Sequence, residues 1–88
     1  MSQKIRKKIN AIIDLPSEII LNTPKITLDS NEKIWIENFN GLIEFSDSFI
    51  RVDTKTCTVV IEGGNLSINY MTKEEICVFG IIKSIVYD

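Results

Sequence analysis

Apolar residues follow two different periods along this chain, and the change falls at Pro24. Before it, Ile5, Ile9, Ile12 and Ile13 recur at i, i+4, i+7 and i+8, one stripe of a 3.6-residue repeat, while Arg6, Lys7, Asn10 and Asp14 lie off it. The spacing predicts an amphipathic helix with Ser2 as N-cap. Pro16 interrupts it, because it lacks the N–H that an interior position donates, yet it suits the first turn of a short second helix over Ser17 to Leu21. Residues 1–23 therefore read as a helical arm and residues 24–88 as a separate folded body.

From Lys25 onward the period is two. Eight short runs rich in β-branched and aromatic residues follow one another: 26–28, 33–37, 42–45, 50–53, 58–62, 66–70, 76–79 and 82–87. Turn-forming residues fill the gaps, including Asn38 to Gly41, Gly63-Gly64-Asn65 and Thr72-Lys73-Glu74. The expectation is one small all-β domain of about eight strands, an antiparallel meander with sandwich-like packing, and Gly63-Gly64 is placed in a hairpin turn. A short β-solenoid is the alternative; the regular spacing suits it, but the strict repeat of a solenoid is absent. Alternation puts Ile26, Leu28, Ile34, Ile36, Ile43, Phe45, Ile50, Val52, Val59, Ile61, Leu66, Ile68, Tyr70, Ile76 and Val78 inside. The last run fits only with a bulge near Lys83-Ser84, which would let Ile82, Ile85 and Tyr87 share a face.

Within Ile34 to Phe45, the sequence IWIENFNGLIEF, one strand stops and another begins at once. Asn38, Asn40 and Gly41 supply turn chemistry, and Phe39 is the residue such a turn does not need: it either folds back on the core or presents an apolar anchor to a partner. Trp35 and Phe79 alternate with inward residues and so point outward, Trp35 either under the arm or in an interface. Trp35, Phe39 and Phe79 are thus the candidate partner-binding residues.

Composition narrows the possibilities further. Apolar residues make up 44% of the chain and charged residues 25%, a balance that calls for a packed core rather than disorder. At 88 residues the core is small, since a chain of this length buries only about 60% of the surface it exposes unfolded. Charge is divided: residues 1–13 hold Lys4, Arg6, Lys7 and Lys8 and no acid, for +4, while the rest hold 6 basic and 12 acidic residues, for −6. An acidic body disfavours nucleic acid as its ligand. The basic arm can pack on the body, dock on a partner, or contact an anionic membrane weakly, with Lys4, Arg6, Lys7 and Lys8 meeting the lipid at about 1 kcal/mol each.

Chemistry is scarce. There is no His, and Cys57 and Cys77 stand alone without metal-ligand spacing, so neither a metal site nor a cofactor is expected, and both thiols read as small apolar residues. No nucleophile-and-base set or phosphate-binding glycine motif is present. Glu74 with Glu75, or Asp47 with Glu44, could serve as carboxylate pairs, but neighbours on a strand face opposite ways. A binding protein, not an enzyme, is the expectation. No apolar run approaches the ~18 residues of a membrane span and no secretory signal pattern is evident, so the chain is expected to stay in the cytoplasm where it is made.

Leu15-Pro16, Pro24-x-Ile26-Thr27-Leu28, Ile36-Glu37-Asn38 with Gly41-Leu42 and Phe45-Ser46, Asn65-Leu66-x-Ile68, Glu74-Glu75-Ile76 and Gly80-x-Ile82-x-x-Ile85-x-Tyr87 occur in an order and spacing that resemble the YabP/YqfC family of small sporulation proteins of endospore-forming Firmicutes, and more closely its YqfC branch. Cys57 departs from the pattern, which leads one to expect a small or glycine-like residue there. The resemblance implies action in the mother cell during spore formation, near the membranes around the forespore, through a membrane-protein partner of the sporulation set. It implies no enzymatic activity. Self-assembly as a scaffold of the spore coat is the alternative role.

Overall fold

The computed structural model describes residues 23–88. The helical arm, with Lys4, Arg6, Lys7 and Lys8, lies outside the described residues. Six strands form one antiparallel sheet: β1 Lys25–Asp29, β2 Lys33–Glu37, β3 Phe39–Phe45, β4 Phe49–Thr54, β5 Thr58–Met71 and β6 Glu75–Tyr87, in the order β1-β2-β6-β5-β4-β3. The all-β expectation holds, and every pairing is antiparallel, which removes the solenoid; the expected meander holds only from β3 to β6, because β2 pairs with β6 and not with β3.

Only Asn38 links β2 to β3, although four strand spacings separate them in the sheet. Laid flat, those spacings would put the strands about 19 Å apart, whereas two Cα steps reach at most about 7.6 Å. The sheet has to fold back on itself. The hinge is in β5 and β6: their first and last segments pair with different neighbours, Thr58–Glu62 with β4 and Glu75–Phe79 with β2. The two half-sheets enclose a common core of Ile34, Ile36, Ile50, Val52, Val59, Ile61, Leu66, Ile76, Val78 and Ile82.

Six strands replace the expected eight because two predicted breaks are bends inside continuous strands. Gly63-Gly64 is not a turn; β5 runs through it, and β6 runs through Gly80. The glycines are there for close approach. A Cβ on Gly63 would overlap the carbonyl of Ile81, and one on Gly80, whose φ is +142°, would lie 2.8 Å from the Asn65 carbonyl oxygen. Backbone groups freed at the bend are taken up by the flanking turns: Gly63 and Leu66 N–H donate to the Ser48 and Asp47 carbonyls (3.1 and 2.7 Å), and Gly80 and Ile82 N–H to those of Glu32 and Asn31 (3.1 and 2.7 Å).

Bulges also redirect side chains. Lys83 has no partner between Ser84 and Ile82, so the expected bulge is present; Ile82 and Ile85 reach the core, while Tyr87 stays exposed. Two further expectations fail for the same reason. An unpaired Asn69 turns Tyr70 to the outer face, and an unpaired Ile43 leaves that residue exposed and turns Leu42 inward. With a second bulge at Asn40, β3 packs Phe39 and Leu42 on the core, a spacing of three rather than two, while Phe45, expected inside, is 50% exposed.

Three links share one device. In Ser46–Phe49, Thr54–Cys57 and Thr72–Glu75 the first residue's N–H donates to the fourth carbonyl, and its hydroxyl bonds inside the turn. Thr54 is buried: its Oγ1 donates to the Cys57 carbonyl at 2.6 Å and accepts from the N–H groups of Cys57 and Thr56 at 3.1 and 3.3 Å. Cys57 is therefore held by its backbone, with its side chain against the core.

Replacing Thr54 by Val should lower unfolding free energy by about 1–3 kcal/mol in urea melts, because the turn donors lose their acceptor. Gly63→Ala should destabilise by more than about 3 kcal/mol, whereas Gly64→Ala, where a Cβ would meet nothing within 4 Å, should stay within about 1 kcal/mol of wild type. Equal losses at the two glycines would mean that they form a turn.

Candidate partner-binding face

The outer side of the β1-β2-β6-β5 half-sheet follows from the register. Trp35 on β2 lies opposite Cys77 on β6, which lies opposite Tyr70 on β5; the next row carries Lys33, Phe79 and Ser67. Cys77 lies on the outer side of the register yet is only 1% exposed. Lys33 Nζ stands 5.1 Å from the Trp35 ring centre and 4.6 Å from that of Phe79, bridging both aromatics through its charge. Each such contact is worth roughly 0.5–1 kcal/mol at a solvent-facing site. Beside them Asp29, Glu32, Lys33, Phe79, Gly80 and Ile81 line a shallow concavity.

Tyr70 closes the far side of the patch. Its hydroxyl donates to Glu75 Oε2 at 2.8 Å. That bond, reinforced by desolvation and by the nearby charge of Glu75, favours the protonated phenol and raises its pKa above the ordinary 10.0. The face thus combines a half-buried Trp and Phe, one cation held over both rings, and a tyrosine pinned by a carboxylate. Such a surface is suited to docking, with large rigid side chains and polar groups at the margin.

Two of the three candidate binding residues are brought together here. Trp35 and Phe79 share the face, both half-buried. Phe39 does not join them: it lies on β3, half-buried and packed against the core. Of the carboxylates, Glu44 pairs with Arg51 at 3.2 Å, Glu75 holds Tyr70, and Glu74 sits in the β5–β6 turn. Among the described residues no cluster of His, Cys, Asp and Glu could hold a metal ion, and no helix is long and apolar enough to cross a membrane. Sequence reasoning missed Lys33 and Tyr70. Lys33 was detectable, two residues before Trp35 on the same strand face; Tyr70 was not, because the Asn69 bulge has no sequence signature.

The model of the YabP family matches residues 21–88. The chain belongs to the YabP family. It is 29% identical over 84 residues to the uncharacterized protein YqfC of Bacillus subtilis (strain 168), an alignment spanning 96% of this chain and 90% of that relative. No solved structure matches it significantly. The family match takes in all six strands, so the aromatic face, the bend and the Asn38 corner lie within the part that makes this chain a YabP-family protein.

The Tyr70–Glu75 pair supplies a titration test. A raised folded-state pKa means that the pair's stabilisation is complete below the unfolded value near 10 and is lost as pH rises through the folded value. In a Tyr87→Phe background, phenolate absorbance should show Tyr70 ionising above 10.0, and Glu75→Gln should move that transition down. An unchanged transition would mean that the two side chains do not meet.

Proposed function

We propose that this YabP-family chain is a non-enzymatic sporulation protein that acts by protein–protein association, with Trp35 and Phe79 as anchors and Lys33 holding the two rings in place. The observation that carries this reading is the gathering of Trp35, Phe79, Lys33 and Tyr70 on one outward face of a rigid half-sheet. Family membership and the motif resemblance support the setting: the mother-cell cytoplasm, at the periphery of the membrane around the forespore, with a membrane protein as the partner. The charge division supports that placement as well, since the +4 of residues 1–13 is attracted to an anionic membrane surface while the acidic body is not.

Partner binding should depend on the face and not on fold stability. A Trp35→Ala, Phe79→Ala double variant should keep a cooperative unfolding transition, yet fail to restore spore formation when it replaces the native protein in an endospore-forming host. Phe39→Ala, by contrast, should destabilise the protein measurably, by less than the roughly 3–5 kcal/mol of a fully buried aromatic, because its half-buried ring packs on the core. Normal spore yield with the folded double variant would remove the aromatic face from the function.

A further inference from the structure

Among the described residues the two half-sheets leave four open margins, β1, β3, residues 66–71 of β5 and residues 81–87 of β6, and they differ: the β5 and β6 margins are broken by bulges at Asn69 and Lys83. β3 carries bulges at Asn40 and Ile43, which interrupt the row of outward backbone groups that another strand needs. β1 pairs with β2 through five consecutive residues without a shift, so its free edge is regular. On that edge Leu28 points to the core side yet is 51% exposed. The strand reads Lys25-Ile26-Thr27-Leu28-Asp29, a basic end and an acidic end about a central Thr.

We propose that two copies of this chain join along β1, antiparallel, about a two-fold axis at Thr27. In that register Lys25 lies opposite the second copy's Asp29, Ile26 opposite its Leu28, and Thr27 opposite its own counterpart. Within one chain Lys25 already lies beside Glu37, and Asp29 beside Lys33. The outer row across the junction therefore alternates in sign: Glu37, Lys25, then Asp29 and Lys33 of the second copy. The core-side row is apolar throughout: Ile36, Ile26, then Leu28 and Ile34 of the second copy, covering the half-exposed Leu28. Other registers lose this match. A shift by two residues removes both charge pairs, and parallel pairing sets Lys25 beside Lys25 and Asp29 beside Asp29.

Association along β1 is isologous and consumes that edge, while the bulges at Asn40 and Ile43 on β3, Asn69 on β5 and Lys83 on β6 oppose growth along the other margins; the assembly stops at two. The dimer stands independently of the proposed partner reading. If that reading holds, the consequence is bivalence: the two Trp35 side chains lie on one continuous face, three strand spacings or about 14 Å apart, and a partner that offers two matching segments gains effective concentration.

Sedimentation equilibrium of the full chain tests the stoichiometry, and engineered thiols test the register. The expected result is a monomer–dimer equilibrium. In a Cys57→Ser background, Thr27→Cys should form a disulfide-linked dimer on mild oxidation and Asp29→Cys should not. Lys25→Asp should raise the dimer dissociation constant by at least about tenfold, and adding Asp29→Lys should restore most of the affinity, with circular dichroism confirming that each variant is folded. A monomer at every concentration overturns the proposal, and slow exchange of the β1 amides in that monomer would show that the chain covers its own edge. An open-ended series of oligomers also overturns it, as does a dimer that the Thr27→Cys thiol fails to link. Each readout reports assembly and leaves spore formation out, so failure here is separate from failure of the partner reading.

Discussion

Asn38 is the single residue between β2 and β3, and the architecture depends on it. A link that short cannot join two strands four places apart in an open sheet, so the sheet closes over, and closure creates an inside. Asn38 adopts a left-handed conformation, φ 63°, which an Asn tolerates better than most residues. Its N–H donates to the Glu74 carbonyl at 2.7 Å, and its side-chain amide donates to the Thr23 carbonyl at 2.9 Å. The corner is thereby tied both to the β5–β6 turn and to the chain entering β1. Packing does the rest, with isoleucine and valine from both half-sheets filling one small core.

Once the sheet is closed, its outer faces become available for recognition. The face with Trp35, Phe79, Lys33 and Tyr70 is built on β2 and β6, which are paired on both sides there, and on the second half of β5, which pairs with β6. Side chains there need little reordering to meet a partner, because Lys33 is held over two rings and Tyr70 by Glu75. The opposite half-sheet has a different outer character. On it Arg51 bridges Glu44 at 3.2 Å and Asp88 at 3.6 Å and lies over the Phe49 ring at 5.0 Å, an arrangement in which the charges are matched within the chain. The asymmetry supports the proposal that the aromatic face is the docking surface.

Much of this was legible from period-two patterning. The β class, the inward Ile34, Ile36, Ile50, Val52, Val59, Ile61, Ile76 and Val78, the outward Trp35 and the bulge at Lys83 follow from alternation, and the antiparallel pairing from the short connections. What escaped reading has one physical origin: residues that break alternation without ending a strand. Gly63-Gly64 has the composition of a hairpin turn, but serves as a site of close backbone approach. Asn40, Ile43 and Asn69 sit in bulges that no residue type announces, and so Leu42, Ile43 and Tyr70 exchanged faces relative to expectation. Phe39 looked like the tip of a loop because Asn38 to Gly41 reads as one turn; the turn is Asn38 alone, and Phe39 already belongs to β3.

The claim on which the rest hangs is that the two half-sheets face each other across a common core. Methyl-selective NMR measures this directly, through nuclear Overhauser contacts between Ile34 or Ile36 on β2 and Phe39, Leu42, Ile50 or Val52 on β3 and β4. A closed sheet predicts such contacts between strands that share no hydrogen bonds. Contacts confined to hydrogen-bonded neighbours, with none between β2 and the β3–β4 pair, would contradict it.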